Sequence, residues 1–265
     1  MTKNKRYIVG NWKMNSVSLA DTKHIFLQIK RGLARIKTRN MQVVICPPFV
    51  YLERISNLLK TKSLKLKAVL GAQDVFYESE GAYTGQISAP MLKNLGVQYA
   101  IIGHSEKRAL GESNEVVAKK IGACLKYLLT PIVCIGESSR DESGNYFSFV
   151  RTQIEEIFSA KGGNIPKSAL SKIVIAYEPI WAIGKKAVRE ATPAESEEMA
   201  IFIRKVFNDL YDQKSVQGIK ILYGGSVNTK NAREFLKSGG VDGLLVGRDS
   251  LDAKKFTEIV KQAGK

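Results

Sequence analysis

The sequence predicts a single-domain, closed (β/α)8 barrel spanning residues 1–265, and three observations carry that expectation. Eight short apolar runs recur at a nearly regular interval, and stretches with helical periodicity lie between them. No proline-, glycine- or serine-rich linker and no shift of composition divides the chain, so one domain is expected. Strand and helix that alternate to the end require a parallel sheet covered by helices, and eight such units match a barrel in number and length.

The runs, in order, are Tyr7-Ile8-Val9, Val43-Val44-Ile45, Val69-Leu70, Tyr99-Ala100-Ile101-Ile102, Ile132-Val133-Cys134-Ile135, Ile173-Val174-Ile175-Ala176, Ile221-Leu222-Tyr223 and Leu244-Leu245-Val246. Each is apolar and rich in β-branched residues, as suits a strand buried on both faces. After the first run, Ile25, Phe26, Ile29, Leu33 and Ile36 form a stripe of three- and four-residue spacing, the mark of a helix. Thr192-Pro193-Ala194-Glu195 reads as a capping box with proline at the first helical position. Residues 231–236 and 254–260 are shorter helical stretches. An open doubly wound sheet is the runner-up, but G-x-G-x-x-G is absent after the first strand, where Gly10-Asn11-Trp12-Lys13 stands.

Composition limits the function classes. With 44% hydrophobic and 25% charged residues the chain is an ordinary soluble globular sequence. No apolar run reaches the ~18 residues of a membrane span. The basic start MTKNKR is followed by only three apolar residues, too few for a signal peptide. Cys46, Cys124 and Cys134 are odd in number and lack metal-ligand spacing, so a reducing, cytoplasmic setting is expected. Of the net charge of +16, +13 falls in residues 1–70, where Asp21 and Glu53 are the only acids. Without a motif this reads as solvated helix faces, and no nucleic-acid partner is expected. Attraction of an anionic substrate is a milder use of the same charge.

In such a barrel the site forms at the carboxyl ends of the strands. Polar residues just after the runs are therefore the candidates: Asn11 and Lys13, His104 and Glu106, Glu137, Glu178, Ser226 and Gly247. They include a cation, an imidazole and a carboxylate, enough for acid/base work on an anion. Ser105 and Glu106 suit a helix start beside His104, and a helix amino end favours a neutral imidazole that donates a hydrogen bond. His24 lies mid-helix with no assigned role. Tyr223-Gly224-Gly225-Ser226 and Val246-Gly247-Arg248 are glycine turns able to aim amides at a phosphate. After Glu178, the stretch Pro179-Ile180-Trp181-Ala182-Ile183-Gly184 is too apolar for an ordinary surface loop. It reads as a lid that excludes water from the carboxylate.

Gly10-Asn11-Trp12-Lys13-Met14-Asn15, Ile102-Gly103-His104-Ser105-Glu106, Cys134-Ile135-Gly136-Glu137, residues 176–184 and Tyr223-Gly224-Gly225-Ser226-Val227 together resemble the triosephosphate isomerase family, in order and over nearly the whole chain. The resemblance implies a TIM barrel that interconverts dihydroxyacetone phosphate and D-glyceraldehyde 3-phosphate through an enediolate, with no cofactor or metal. It also implies the roles. Glu178 is the base, neutral His104 the electrophile, Asn11 and Lys13 its helpers, and Glu106 the support behind them. Phosphate would rest on amides near Gly184, Ser226, Gly247 and Arg248. Glu137 and Tyr223 would hold the lid in its open and closed positions. A homodimer is implied, with the loop of Thr84 reaching the neighbour's site near Asn11.

Three departures stand out. After Gly184 the family usually reads Thr-Gly-Lys-Thr-Ala-Thr-Pro, whereas Lys185 to Pro193 is two residues longer and lacks the hinge glycine. Altered lid kinetics are expected from this. Arg248 replaces a usual glycine of the phosphate cup. Gln86 and Lys107 replace the usual Glu and Arg that bridge subunits, so an amide–ammonium contact is expected there. Competing readings are an aldolase with Lys13 as a Schiff-base amine, a nucleic-acid role for residues 1–70 and an inactive structural relative.

Overall fold

A computed structural model describes residues 5–36, 40–60, 68–184 and 187–264. Strands β1 (Arg6–Asn11), β2 (Met41–Cys46), β3 (Ala68–Ala72), β4 (Val97–Ile102), β5 (Thr130–Ile135), β6 (Val174–Tyr177), β7 (Lys220–Tyr223) and β8 (Gly243–Val246) follow one another around a closed parallel barrel. The ring shuts where Tyr7 and Ile8 of β1 pair with Gly243 and Leu244 of β8. All eight strands lie on the apolar runs of the sequence. The sixth begins one residue later than its run, because the Ile173 amide bonds to Leu170 O and ends the preceding turn.

Helices cover the outside: α1 (Leu19–Ala34), α2 (Leu52–Lys60), α3 (Ala89–Asn94), α4 (Ser105–Arg108), α5 (Asn114–Lys126), α6 (Asn145–Phe158), α7 (Pro193–Leu210), α8 (Gln213–Val216), α9 (Ala232–Ser238) and α10 (Ala253–Ala263). Phe26, Ile29 and Leu33 of the predicted stripe are buried on α1, while Ile36 lies just beyond its end. The capping box at α7 forms as expected. The Glu195 amide donates to Thr192 Oγ1 at 3.3 Å, and the Thr192 amide donates to Glu195 Oε2 at 2.8 Å. Such a cap stabilises a helix start by about 1 kcal/mol.

The period of two along each strand splits the core into two layers. Val9, Val44, Cys46, Ile101, Ile132, Cys134, Val174, Ala176, Leu222 and Leu245 pack together and fill the barrel lumen. Their strand neighbours Ile8, Val43, Ile45, Ile102, Val133, Ile175, Ile221 and Leu244 pack outward against the helices. The inward series runs from Val9 to Asn11, the last residue of β1, and past the end of β6 from Ala176 to Glu178, so both point to the barrel axis. Tyr177 and Glu137 belong to the outward series.

The three cysteines are buried and unpaired. No described helix is long and apolar enough to cross a membrane. The hinge residues Lys185 and Lys186, and part of the basic flank (1–4, 37–39 and 61–67), lie outside the described residues.

Candidate active site

One cleft of about 570 Å³ opens at the carboxyl ends of the strands, lined by Asn11, Lys13, His104, Glu106, Glu178, Gly184, Ser226, Gly247 and Arg248 among others. The predicted catalytic and substrate-binding residues therefore meet in one place.

Glu178 is 2% exposed. Its Oε1 lies 3.2 Å from His104 Nε2, and its Oε2 accepts the Ser105 amide at 2.9 Å. Glycine at position 136 makes room for this. A Cβ there would stand 1.9 Å from the Glu178 carbonyl oxygen. Against the other side lies Cys134, whose thiol is raised well above its ordinary range by burial and by the adjacent Glu178 charge.

His104 departs from the in–out alternation. Gly103 takes φ +69°, a conformation glycine adopts without strain, and this turns the chain so that His104 faces the cleft. The imidazole is itself the cap of α4, because its Nδ1 accepts the Glu106 amide at 3.2 Å. An accepting Nδ1 leaves the proton of a neutral ring on Nε2, the nitrogen facing Glu178. The helix start expected after His104 thus also sets its tautomer.

Lys13 adopts φ 53°, a strained region for a residue with a Cβ. It is held there from both sides of its backbone. Its amide donates to Asn11 Oδ1 at 3.0 Å, and its carbonyl accepts from Gln73 Nε2 at 2.9 Å. Gln73 also donates to Cys46 O at 2.9 Å, so one side chain links the loops after β1, β2 and β3. Lys13 Nζ donates to Glu106 Oε1 at 2.7 Å. Burial raises the Glu106 carboxyl, but the Lys13 hydrogen bond, the Lys13 charge and His104 outweigh it and hold the group below its ordinary value.

Of the residues expected to form a lid, Pro179, Trp181 and Ala182 are buried, Ile180 and Ile183 half-buried and Gly184 exposed. Trp181 is 6% exposed and Ala182 fully buried, in a short 3-10 turn over Ile180–Ala182. Trp181 Nε1 and Tyr177 Oη both donate to Glu137 Oε1, at 2.7 and 2.8 Å. Burial pushes the Glu137 carboxyl up despite these bonds. Of the two partners expected for this segment, Trp181 contacts Glu137. Tyr223 stacks on Phe235 instead, with ring centroids 3.8 Å apart. Across the cleft, Ser226 Oγ donates to Ala182 O at 2.7 Å.

Arg248 is exposed and is not among the non-glycine residues of positive φ, so its backbone tolerates the Cβ. Thr84 and Gln86 are exposed and lie away from the cleft. Lys107 pairs within the chain, with Asp74 Oδ2 at 3.0 Å. Gln73 and Glu190, which lines the cleft from beyond the lid, were not singled out in the sequence. Gln73 follows the third strand and could have been found by the rule that found Asn11. Nothing in the pattern marked Glu190. Among the described residues no group of three or more His, Cys, Asp or Glu is placed to hold a metal ion.

The family model described as triosephosphate isomerase matches residues 6–263. Among similar proteins, one named triosephosphate isomerase from Dehalococcoides mccartyi is 44% identical over 97% of this chain and 95% of its own. Two others of that name, from Aquifex aeolicus and Dictyoglomus thermophilum, are each 41% identical over 97% of this chain, covering 98% and 99% of theirs.

Proposed function

The chain belongs to the triosephosphate isomerase family, an isomerase interconverting dihydroxyacetone phosphate and D-glyceraldehyde 3-phosphate in glycolysis and gluconeogenesis, and from that premise we propose how its own residues divide the work. The observation that carries the reading is the Glu178–His104 pair at 3.2 Å in a cleft that also holds Lys13.

Glu178 removes the proton from the substrate carbon next to the carbonyl. The C–H electron pair becomes the carbon–carbon double bond, and the carbonyl π pair moves onto oxygen. His104 donates its Nε2 proton toward that oxygen as charge develops, and Lys13 and Asn11 stabilise the same charge. Glu178 then returns the proton to the neighbouring carbon, while the other oxygen gives up its proton and becomes the carbonyl. Both groups are engaged with each other in the conformation described, so substrate entry requires Glu178 to turn away from His104 and the Ser105 amide. A glutamate base paired with a neutral histidine electrophile is the established acid/base pattern of this family.

Glu106 fixes the Lys13 ammonium and lends its amide to His104. Phosphate rests on amides near Gly184, Ser226, Gly247 and Arg248, with Lys13 offsetting its charge. The lid of residues 179–184 closes over the enediolate and suppresses elimination of its phosphate.

The proposal extends to assembly and setting. Residues 1–265 act as one barrel domain and as a homodimer. In support, Met14, Val17 and Tyr83 are exposed apolar residues on the loops after β1 and β3, which Gln73 holds together. Thr84, Gln86 and Lys107 sit at that interface, with Lys107 already neutralised by Asp74. A mass in light scattering that stays monomeric at every concentration would reject the dimer. Buried, unpaired cysteines support a cytoplasmic setting.

The test is turnover of glyceraldehyde 3-phosphate by the native protein and by Glu178→Gln. A general base contributes on the order of 10² to 10⁴ in rate, and a loss of that size is expected. Turnover that survives the substitution would remove Glu178 from the role of base.

A further inference from the structure

Two guanidinium groups lie over the ring of the lid tryptophan. Arg189 is 4.6 Å from the Trp181 ring centroid and Arg140 is 6.0 Å from it. Both are anchored on the same helix. Arg189 donates to both oxygens of Glu195, at 2.5 and 3.0 Å, and Arg140 pairs with Glu198. Glu195 and Glu198 are three residues apart on α7 and so share one face of it.

Glu195 is in turn fixed from behind. Its Oε2 accepts both the amide and the hydroxyl of Thr192, at 2.8 and 3.0 Å, so it cannot swing without opening the start of α7. The planar fork of Arg189 therefore stands on a rigid carboxylate. The chain just before it is tied to the lid as well, since the Val188 amide donates to Trp181 O at 2.8 Å. When the indole leaves Glu137, the fork is held back by Glu195 and the cation–ring contact is lost.

We propose that Arg189, held by Glu195, is a positioning residue of the isomerase reaction: it retains the lid in the Trp181–Glu137 position and sets how readily the lid leaves that position to close over a bound triose phosphate. The proposal rests on the reading of residues 179–184 as a lid over Glu178. The Arg189 side chain is 52% exposed, which puts the contact at the weak end of the cation–π range. Its removal shifts the lid equilibrium about two- to fivefold. Substrate binding must overcome this retention, so its loss is read as tighter apparent binding.

The experiment compares Arg189→Met, Arg189→Lys, Glu195→Gln and the double variant Arg189→Met with Glu195→Gln. Steady-state kinetics on glyceraldehyde 3-phosphate are combined with fluorine NMR of protein carrying 5-fluorotryptophan. Only Trp12 and Trp181 are labelled, and Trp181→Phe assigns the lines. Arg189→Met keeps the stem and removes the fork. It is expected to lower KM about two- to fivefold and to move the Trp181 line toward its position in saturating dihydroxyacetone phosphate. Glu195→Gln keeps the helix cap and gives a smaller shift in the same direction. The double variant goes no further than Arg189→Met alone, and Arg189→Lys restores part of the native KM. An unchanged KM and Trp181 line in Arg189→Met would overturn the proposal, as would strictly additive effects of the two single substitutions. Loss of turnover in Glu178→Gln with no response to Arg189→Met rejects this proposal alone. Undiminished turnover in Glu178→Gln rejects the site reading on which it rests.

Discussion

Glu178 and His104 occupy one another: Oε1 and Nε2 stand 3.2 Å apart while the Ser105 amide holds Oε2 at 2.9 Å. The Ser105 hydrogen bond and the contact with His104 hold the carboxylate in this pose. The parked pose therefore competes with substrate, and the Ser105 amide is the handle by which the competition can be measured.

Ser105→Pro removes that amide with little change to the fold. Position 105 opens α4, where proline is tolerated, and His104 already has φ −55° and ψ 142°, the extended geometry proline demands of its predecessor. A hydrogen bond to a charged group is worth about 1.5–3 kcal/mol. The expected outcome is a lower Tm together with a lower KM for glyceraldehyde 3-phosphate. A lower Tm with unchanged KM would mean the amide supports the fold and does not compete with substrate.

Gly136→Ala drives a methyl to within 1.9 Å of the Glu178 carbonyl oxygen. The backbone carrying the base must move, and misplacement by about 1 Å can cost 10²-fold in rate. Turnover should fall by that order while circular dichroism shows the barrel retained. Near-native turnover would show that β5 and β6 separate more easily than their packing implies.

Gln73→Leu removes the donor that holds the Lys13 carbonyl while filling similar space. Lys13 then loses one of two restraints on a strained backbone. An unmet buried acceptor costs about 1–3 kcal/mol and this partly buried one less, so kcat/KM should drop by up to roughly an order of magnitude. The loss should be larger for the phosphorylated substrate than for unphosphorylated glyceraldehyde, because Lys13 faces the anion. Equal losses on both would place the effect outside Lys13.

Acid stability should depend on Glu195. The Arg189 fork lowers its carboxyl from 4.5 to about 2, with the Thr192 bonds assisting against burial. A group depressed on folding stabilises the protein above its unfolded value and loses that contribution as pH falls through the folded one. Native protein should therefore lose stability between about pH 4.5 and 2, and Glu195→Gln should flatten the loss in that window. Denaturant midpoints measured across the window decide it; parallel curves would refute it.

Arg248→Gly restores the residue the family usually carries in the phosphate cup. The guanidinium is exposed, and charges at a surface are screened within about 8 Å at physiological salt. At that salt kcat/KM should stay within about threefold, with a wider gap at low ionic strength. A tenfold loss at physiological salt would show that the side chain binds phosphate directly.

Much of the barrel could be read along the chain because its signals are local. Runs such as Ile132-Val133-Cys134-Ile135 became strands, and Thr192 to Glu195 became the predicted cap. The short helices α3, α4 and α8 gave too few residues for periodicity to speak. Instead, α4 and α8 start at side-chain caps from His104 and Asp212, and α3 packs against β4.

By itself the sequence determined which residues end the strands, and parallel alternation then carries Asn11 and Glu178 to the barrel axis. Alternation alone would have turned His104 outward. Only the folded chain decided otherwise, through the left-handed Gly103 and a cap that places the proton on Nε2. The same holds for Gln73 under Lys13, for the lid resting on Glu137, and for Arg189 over Trp181 on a carboxylate of α7. Each joins residues remote in sequence or sets a direction in space. A pattern of polar and apolar residues encodes which face a side chain takes along a regular element, but directions beyond the element's end are set by what the rest of the molecule packs against it.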